Sequence, residues 1–435
     1  MKILFIQPSL SFKKKRSIKG LNLIQAEQFY FLHLSIYHLA SITPIEHEIK
    51  LVDERFGSLK IDDTYDLVVI TCSTPFAPRA YELAEKLKKK NITVVLGGAH
   101  PSLMPEEAIS HADSVIVGEA DITWEQLLED FENNQLKRFY SNKEDVSLEK
   151  IKRHRVNIID NYLMRTEASR GCPNCCNFCL VPVIHGDKQR FRPIDDVIKE
   201  IKQLKKKIIN FDDPSLTTNL RYTKSLFREL KNLNKKFTCC GNVNVLCEDD
   251  ELLKLAKEAG CIAWFIGFES FNQDTLNEAG KKTNIIEKYS NTVKKIHKYD
   301  MAVIGSFMFG FDNDTLDVFD KTLNGIYKLD LEAADFNILG VYPGTSLFDK
   351  LDKEKRIITK DWSDYNFGEV VFKPKNMTKQ ELEQETWRIS KDFFTFKNII
   401  LRSIKSMRYG FYPFIFVTYK NLILRRFYRS WKYLY

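Results

Sequence analysis

The sequence predicts an α/β protein with two successive β/α parts and a helical C-terminal segment. Short β-branched runs alternate with amphipathic helical patterns, a polar interval interrupts the alternation, and the last fifty residues are basic and aromatic. A chain of 435 residues also exceeds what one hydrophobic core usually serves. The expected parts are a flavodoxin-like, doubly wound parallel sheet at 1–136, a linker at 137–160, a partial (β/α)6 barrel of the TIM type at 161–360, and a helical extension at 361–435.

The N-terminal part holds five short apolar runs that we expect to be buried parallel strands. They are Ile3–Ile6, Ile49–Val52, Leu67–Ile70, Thr93–Leu96 and Ser114–Val117. Runs this short and rich in β-branched residues are typical of strands that helices cover on both faces. Helical patterns at 79–90 and 122–131 lie between them, which favours the doubly wound topology.

Small or polar residues follow three of these runs, at the strand ends where such sheets bind ligands. They are Thr71, Ser73, Gly97, Gly98, His100, Gly118 and Glu119. Any one of the three segments could be an ordinary turn, but three in succession along one edge indicate a binding surface. No glycine-rich phosphate loop follows the first strand, so a dinucleotide is not expected.

A second alternation predicts six β/α units. The expected strands are Met164–Ala168, Lys207–Phe211, Phe237–Gly241, Ala263–Phe268, Ala302–Phe307 and Ala334–Leu339. Helical patterns such as 194–206, 249–259 and 315–329 separate them. Six units form an open version of the β/α barrel, whose site again lies at the carboxyl ends of the strands.

A cysteine cluster comes directly after the first strand of this barrel. Cys172, Cys176 and Cys179 are spaced x3 and then x2, within a loop that also holds a glycine and a proline. Clustered thiols in a chain with few cysteines favour metal or cluster ligation over disulfides. No second close pair of zinc ligands lies nearby. Three thiolates suit an iron–sulfur cluster with one iron left open, and we interpret Cys175 as a bystander.

The pattern Cys-x3-Cys-x-aromatic-Cys after the first strand of a six-unit barrel resembles the radical S-adenosylmethionine (radical SAM) superfamily. In the N-terminal part, Asp53-Glu54, Gly97–His100, Pro105–Glu107, Ala112-Asp113 and Gly118-Glu119 are similar to the cobalamin-binding (B12) domain joined to one branch of it. Further matches to that branch are Arg190–Arg192, Phe211–Asp213, Gly260-Cys261, Gly267–Ser270, Phe309–Phe311 and Tyr342–Thr345. The resemblance covers residues 1 to about 380.

The resemblance implies three cofactors: a 4Fe-4S cluster on the three thiolates, S-adenosylmethionine (SAM) on the open iron, and cobalamin at the N-terminal strand ends. Reductive cleavage of SAM then yields a 5′-deoxyadenosyl radical. The implied SAM contacts are Phe178, Asp212, Asp213, Asn244, Glu269 and Ser270. One of the two aspartates could instead cap the helix expected from Ser215 to Leu230.

One familiar feature of cobalamin domains is missing. No Asp-x-His-x-x-Gly segment supplies a histidine ligand to cobalt. We therefore expect cobalamin to bind without a histidine beneath the metal, with His100 at the edge of the corrin ring rather than on cobalt.

The resemblance favours a cobalamin-dependent radical SAM methyltransferase that acts on an unactivated carbon, with flavodoxin or ferredoxin as electron donor and an unknown substrate. The alternatives are a radical SAM oxidative cyclase or rearrangement without methyl transfer, and a non-catalytic iron–sulfur or corrinoid-binding protein. A methylthiotransferase is disfavoured, because its N-terminal domain needs three further clustered cysteines and only Cys72 is there.

The C-terminal segment carries the basic excess of the chain. Its residues 386–435 hold eleven basic residues, one acid and fifteen aromatics, so the other residues sum to a slightly acidic charge although the whole chain is +8. We expect a helical cap over the barrel mouth or a contact with an anionic membrane surface, with nucleic acid unlikely. No apolar run reaches the ~20 residues of a membrane span, and no signal peptide is evident, so we expect a cytoplasmic protein, peripheral to the membrane if the tail binds it.

Overall fold

The computed structural model describes residues 1–10, 35–54, 64–142, 146–151, 165–366 and 368–431. Its N-terminal sheet has six parallel strands: β1 Lys2–Gln7, β2 Glu48–Asp53, β3 Leu67–Thr71, β4 Thr93–Gly97, β5 Ser114–Val117 and β6 Phe139–Ser141. Their order across the sheet is β2-β1-β3-β4-β5-β6. The chain thus winds outward in both directions from β1 and β3, and the predicted flavodoxin-like topology is confirmed.

Helices cover this sheet on both faces and bury its four central strands. They are α1 Ser35–Ile42, α2 Ala77–Lys88, α3 Ala99–Leu103, α4 Pro105–Ala108 and α5 Trp124–Glu132. The side chains of Ile3, Leu67 and Val94 are fully buried, as expected of strands packed between two layers of helices.

Strand β6 lies within the segment that the sequence predicts to be a linker. It pairs in parallel with β5, with Val115 opposite Phe139. The Tyr140 side chain is buried, and its hydroxyl donates to Asp130 Oδ2 at 2.8 Å. A three-residue edge strand among polar neighbours has no apolar run to mark it, so the sheet extends past the boundary predicted at residue 136. The rest of that segment includes residues 143–145 and 152–160, which lie outside the described residues.

The second sheet is the open barrel predicted from the six β/α units. Its strands are β7 Arg165–Thr166, β10 Ile208–Phe211, β11 Lys236–Cys240, β12 Cys261–Glu269, β13 Ala302–Phe309 and β14 Ala333–Ile338. The order β14-β13-β12-β11-β10-β7 makes β7 and β14 its two edges. A two-stranded antiparallel hairpin of β8 Ser169–Arg170 and β9 Arg190–Phe191 brackets the cysteine loop. Of the strand predicted at Met164–Ala168, only Arg165–Thr166 pairs in the sheet; Met164 lies outside the described residues.

The helices of the barrel follow the strands in alternation. They are α6 Val181–His185, α7 Ile194–Gln203, α8 Leu220–Leu230, α9 Val243–Glu248, α10 Asp250–Ala259, α11 Gln273–Glu278, α12 Tyr289–Lys298, α13 Val318–Leu329 and α14 Ser346–Lys353. Short 3-10 turns lie at Thr74–Phe76, Leu148–Lys150, Leu216–Thr218, Lys231–Leu233, Ile286–Lys288, Trp362–Asp364 and Met407–Tyr409.

Three helices form the C-terminal segment: α15 Lys379–Phe393, α16 Phe396–Ser406 and α17 Phe411–Trp431. Helix α17 packs against the edge strand β14, where the Tyr428 hydroxyl donates to the Phe336 carbonyl at 3.0 Å and accepts from its amide at 2.6 Å. The Asn421 amide donates to the Glu332 carbonyl at 2.8 Å. The aromatic segment therefore packs along the last strand of the barrel rather than over the cysteine loop. Within the described residues, no helix is both long and apolar enough to cross a bilayer.

Candidate active site

The cysteine loop owes its tight path to Gly171. This residue has a positive φ of 82°, and a Cβ built on it would lie 2.1 Å from the Lys188 carbonyl oxygen. Only glycine fits such a position without a shift of the backbone. The Cys172 amide donates to the Gly186 carbonyl at 3.2 Å, and the Cys179 amide to the Cys176 carbonyl at 3.0 Å. These contacts fold the loop so that the three predicted ligands come from one short turn.

The thiols of the loop are free and partly shielded from water. Burial raises the pKa of Cys176 to about 11, although Lys281 opposes the rise, and burial also raises the pKa of Cys179. Thiols with raised pKa values are protonated at neutral pH, so a metal must displace the protons to bind. Cys175, in contrast, is exposed and has a positive φ of 45°.

The donor set fits an iron–sulfur cluster better than a single ion. Among the residues that the structure describes, no three His, Cys, Asp or Glu side chains converge closely enough to hold one metal ion. In a cubane cluster each thiolate binds a different iron, so three cysteines can hold it without converging on one ion. Cys172, Cys176 and Cys179 would hold such a cluster, and the loop does not suit mononuclear zinc.

A buried ion pair lies beside the two partly buried thiols. Lys281 Nζ is 2.9 Å from Glu269 Oε1, and both side chains are largely buried. Burial alone would lower the pKa of Lys281, but Glu269 and the neighbouring Cys176 raise it above its ordinary value. Glu269, a predicted SAM contact, also has a positive φ of 64° at the end of β12. No sequence motif marks Lys281; the turn after α11 brings it to the site.

The two aspartates after β10 take different positions. Asp213 is 1% exposed and accepts hydrogen bonds from the Ala168 amide at 3.0 Å and the Ser169 hydroxyl at 2.5 Å. Burial raises the pKa of Asp213 to about 7. Asp212 has a side chain 18% exposed and pairs with Arg165 Nη1 at 3.0 Å. Burial raises the pKa of Asp212 as well, against the opposing effect of Arg165.

Neither aspartate caps a helix. The Ser215 side chain caps the turn Leu216–Thr218, and the Asn219 side chain caps α8 by accepting from the Tyr222 amide. The helix-cap alternative for Asp212 or Asp213 is therefore wrong. Asp213 accepts hydrogen bonds from the Ala168 amide and the Ser169 hydroxyl, so these residues do not continue the pairing of β7. The strand therefore ends at Thr166, before the end that the sequence predicts.

The remaining predicted SAM contacts lie around the same strand ends. The Phe178 ring meets Phe311 edge-on, with ring centroids 6.1 Å apart. Asn244 donates to the Lys282 carbonyl at 3.4 Å, and its Oδ1 is buried without a hydrogen-bond partner in the described structure. Ser270 is 1% exposed, and its hydroxyl accepts from the Asn272 amide at 3.0 Å. The orphaned oxygen of Asn244 is the kind of buried acceptor that a ligand satisfies.

At the N-terminal strand ends, Gly98 allows close packing, whereas Gly97 and Gly118 are less crowded. Gly98 has a positive φ of 94°, and a Cβ on it would lie 2.6 Å from Thr71 Oγ1 and 2.9 Å from the Cys72 carbonyl oxygen. A Cβ on Gly97 would meet only ordinary contacts. Gly118 also has positive φ, but a Cβ there would meet nothing within 4 Å. Ser73 has extended backbone ahead of the turn at Thr74.

His100 is fully buried beneath the C-terminal part of the chain. Its Nδ1 lies 3.3 Å from Thr74 Oγ1 and its Nε2 3.5 Å from Glu107 Oε1. Its ring contacts Trp362 edge-on at 5.1 Å, and the Trp362 indole donates to Glu107 at 2.8 Å. The structure thus places His100 in a contact between the sheet and the segment after the barrel; a contact with the corrin edge stays a prediction.

Two carboxylates of the N-terminal sheet bind arginines on either side of the cysteine loop, and we call Glu119, Asp121, Arg170 and Arg190 the domain junction. Arg190 donates to both oxygens of Glu119 at 2.7 and 2.8 Å. Arg170 Nη1 donates to Asp121 Oδ2 at 2.7 Å, and His38 Nε2 lies 2.5 Å from Asp121 Oδ1. Burial opposes ionisation, but Arg190 and His185 hold the pKa of Glu119 below its ordinary range, and His38 and Arg170 do the same for the pKa of Asp121.

The domain junction changes the interpretation of Glu119. The sequence predicts a cobalamin contact there, and the structure places its carboxylate, 7% exposed, among Arg190, His185 and Arg170. The strand-end edge of the sheet is therefore held directly against the cysteine loop. The sequence did not indicate a role for His38, Asp121 or Arg170. Their role follows only from the packing of the sheet against the cysteine loop.

A polar interior lies within the barrel. Thr238 donates to Asn210 Oδ1 at 2.6 Å, beside the pair of Asp212 and Arg165. From α17, Lys420 Nζ reaches Asp335 Oδ2 at 3.4 Å, and both side chains are more than nine-tenths buried. Lys420 belongs to the basic C-terminal segment, so the charge pattern of the sequence does not predict that its side chain is buried against the barrel.

Comparison with known proteins agrees with this geometry. The family model for the radical SAM superfamily matches residues 166–326, and that for the B12 binding domain matches residues 41–128. The bacteriochlorophyllide d C-8(2)-methyltransferase of Chlorobaculum tepidum is 32% identical, with 86% of this chain and 88% of the relative covered. The C-12(1)-methyltransferase of the same organism is 29% identical over 91% and 89%.

A solved structure shares the whole architecture. The radical SAM methyltransferase TsrM of Kitasatospora setae, described with cobalamin and a [4Fe-4S] cluster bound, superposes with a TM-score of 0.67 at 13% identity, and 99% of each chain is covered. The fold prediction is confirmed.

The chain belongs to the radical SAM superfamily, in the branch that carries a B12-binding domain. Within that branch it is a cobalamin-dependent methyltransferase-type enzyme. The predicted set of cofactors, a 4Fe-4S cluster, SAM and cobalamin, is confirmed.

Proposed function

We propose that the protein transfers a methyl group to an unactivated carbon of a chlorophyll-type tetrapyrrole. Both bacteriochlorophyllide relatives, matched over nearly their whole lengths, support this substrate class. When bound, the three cofactors supply a radical that activates the carbon and a carrier for the methyl group. The protein's own residues bind these cofactors and fix their positions relative to one another.

The domain junction carries this proposal. A methyl carrier serves a carbon radical only if the two lie next to each other, and fixing that arrangement contributes a large share of such catalysis. The ion pairs of Arg190 with Glu119 and Arg170 with Asp121 join the strand-end edge of the sheet to the cysteine loop. This supports one shared reaction space rather than two separate binding sites.

The residues around the cysteine loop suit the binding of SAM. Lys281, beside Glu269, offers a cation for a carboxylate, and the buried Oδ1 of Asn244 offers an acceptor for an ammonium or hydroxyl group. Of the two aspartates, Asp212 is the better candidate for a SAM contact, because its side chain is 18% exposed, whereas Asp213 is 1% exposed and accepts from the Ala168 amide and the Ser169 hydroxyl. Phe178, whose ring meets that of Phe311 edge-on, offers an aromatic face for the adenine.

At the N-terminal edge, close backbone packing suits a large flat ligand. We propose that cobalamin lies over the segments containing Thr71, Ser73, Gly97, Gly98 and Gly118, where the open side of Gly118 leaves room. In this arrangement Glu119 acts as a positioning residue through Arg190, and His100 supports the surface from below through Glu107.

The enzyme needs a reductant to start each reaction. We propose a low-potential carrier of the flavodoxin or ferredoxin class. The cysteine loop supports direct transfer, because its Cys175 is exposed while the three cluster ligands are only partly so. Activity with a reduced flavodoxin, compared with dithionite alone, tests this assignment.

The test is an anaerobic assay of the full chain reconstituted with iron, sulfide and cobalamin, given bacteriochlorophyllide d, SAM and reductant. We expect 5′-deoxyadenosine and a product larger by one methyl group. 5′-Deoxyadenosine with a product of unchanged carbon number would indicate the cyclase or rearrangement alternative. A cluster that binds SAM without forming 5′-deoxyadenosine would indicate the non-catalytic alternative.

A further inference from the structure

The C-terminal helices expose an unusually apolar surface. Among the described residues, nine of the sixteen large hydrophobic side chains that are exposed lie between residues 396 and 422. We call them the hairpin apolar face: Phe396, Ile400, Leu401, Ile404, Met407, Phe411, Ile415, Tyr419 and Leu422. Contiguous exposed apolar surface of this kind marks an interaction site.

The spacing places these side chains on one face of each helix. On α17, Phe411, Ile415, Tyr419 and Leu422 follow each other at intervals of four, four and three residues. The opposite side of the same helix is buried, as Val417, Leu424 and Tyr428 show. Helix α16 has the same division, with Ile399 buried and Ile400 and Ile404 exposed. The exposed residues therefore form an outer face and are not an unfinished core.

Basic residues continue this face, and acidic residues are missing from it. No Asp or Glu follows Asp392 in the sequence. Arg426 and Arg429 extend the α17 stripe four and seven residues beyond Leu422, and both are exposed. Lys397 is exposed beside the α16 stripe.

Part of the basic charge of the segment is either buried or paired with an acidic residue of the barrel. Arg402 and Lys420 are buried, and Lys405 and Arg408 pair with Asp330 of the barrel. The other exposed cations lie at the margin of the apolar face, where Arg429 also lies over the Phe396 ring, 6.0 Å from its centroid.

We propose that the hairpin apolar face docks on an anionic membrane surface, with α16 and α17 lying in the plane of the interface. Apolar side chains enter the boundary between headgroups and acyl chains while flanking arginines and lysines contact anionic lipid headgroups. Helices α16 and α17 themselves carry no acidic residue, which distinguishes this surface from a protein docking site of mixed charge. Because no helix in the described part of the chain is apolar enough to span the bilayer, the contact is peripheral. It does not depend on the substrate.

Flotation of the full chain with vesicles tests the proposal. Vesicles of phosphatidylcholine mixed with phosphatidylglycerol are compared with pure phosphatidylcholine, and Leu422→Glu is compared with Leu316→Glu. Leu422 and Leu316 are each 44% exposed, but Leu316 lies on the barrel, which makes the pair closely matched. We expect L422E to reduce binding to anionic vesicles roughly tenfold and L316E to leave it unchanged. Equal binding by the two variants overturns the proposal.

A second pair of changes tests the charge. Arg426→Gln and Arg429→Gln should each weaken binding to anionic vesicles about fivefold, and added salt should weaken wild-type binding. Circular dichroism confirms that each variant is folded. Equal affinity for neutral and anionic vesicles contradicts the inference. So does a dimer in the absence of lipid that L422E dissociates, because the face would then join two copies of the chain.

Discussion

Arg170 Nη1 lies 2.7 Å from Asp121 Oδ2, and this contact joins the residue before Gly171 of the cysteine loop to the strand-end edge of the N-terminal sheet. Both side chains are more than nine-tenths buried. A buried ion pair is costly to form and costly to break, because removing one partner leaves an uncompensated charge. The pair therefore fixes the spacing of two domains that carry different cofactors.

The first prediction concerns the stability of this junction. Arg170→Ala leaves Asp121 buried without its guanidinium, so we expect the free energy of unfolding to fall by about 3 kcal/mol. Arg388→Ala is the control, because Arg388 makes an ion pair with the exposed Asp320 and should cost less than about 1 kcal/mol. Urea titration measures both, and equal losses in the two variants would contradict a structural role for the junction.

A second prediction separates the junction from the cluster. Arg170→Lys keeps the charge but cannot reproduce the fork that contacts Asp121 and Glu167 together. We expect cluster formation and 5′-deoxyadenosine to persist while methyl transfer falls about tenfold or more. The ratio of methylated product to 5′-deoxyadenosine measures this effect. An unchanged ratio would show that the junction does not align the two cofactor sites.

The third prediction distinguishes neighbouring cysteines. Cys176→Ala should abolish the 4Fe-4S cluster, and Cys175→Ala should spare it, because Cys175 is exposed on a left-handed backbone position whereas the three predicted ligands are only partly exposed. Iron and sulfide content after anaerobic reconstitution gives the answer. Loss of the cluster in both variants would make Cys175 a ligand.

A fourth prediction concerns Lys281. Lys281→Met removes the partner of the buried Glu269, so we expect SAM affinity to fall by at least about tenfold. The exposed neighbour Lys282 provides the matched control, and Lys282→Met should bind SAM normally. Equilibrium binding of SAM to the reconstituted protein measures both affinities. Equal affinity of the two variants would remove Lys281 from the site.

The fifth prediction is a pH dependence that arises from Asp213. Its pKa is about 7 in the folded protein because of burial, against about 4 in an unfolded chain. Between these values the folded state binds more protons than the unfolded one, so this group lowers the free energy of unfolding as pH rises from about 4 to 7. Asp213→Asn cannot titrate and should lack this decline, which is at most about 1.4 kcal/mol per pH unit.

Urea titrations of wild type and Asp213→Asn at several pH values test that prediction, because other groups titrate equally in both proteins. We expect the difference in stability to move in favour of the variant as pH increases to 7 and then to level off. Parallel profiles would mean that the pKa of Asp213 is the same in the folded and the unfolded protein.

Local sequence determined much of the fold. Buried runs such as Leu67–Ile70 and Ala302–Phe307 are recognisable because parallel strands need β-branched or apolar side chains on both faces. The three-residue β6 has too few residues for a pattern. The strand predicted at Met164–Ala168 is cut short by Asp213, a distant residue that binds the backbone amide at 168.

The candidate site likewise contains some residues that local sequence predicts and others that it does not. Cys172, Cys176 and Cys179 lie in one short loop, so their spacing alone predicts a cluster. Lys281, Arg170 and Lys420 reach their partners only through tertiary packing, across long separations in the chain for Lys420 and Arg170. Their roles depend on which elements meet, and no single segment encodes that.

The most direct test of the account is the fate of a deuterium-labelled methyl group from SAM. The reconstituted full-length enzyme is incubated with bacteriochlorophyllide d and reductant, and product mass and 5′-deoxyadenosine are quantified together. We expect the intact labelled methyl group on a substrate carbon, accompanied by 5′-deoxyadenosine. Formation of 5′-deoxyadenosine with a product that carries no label would contradict methyl transfer in a shared reaction space.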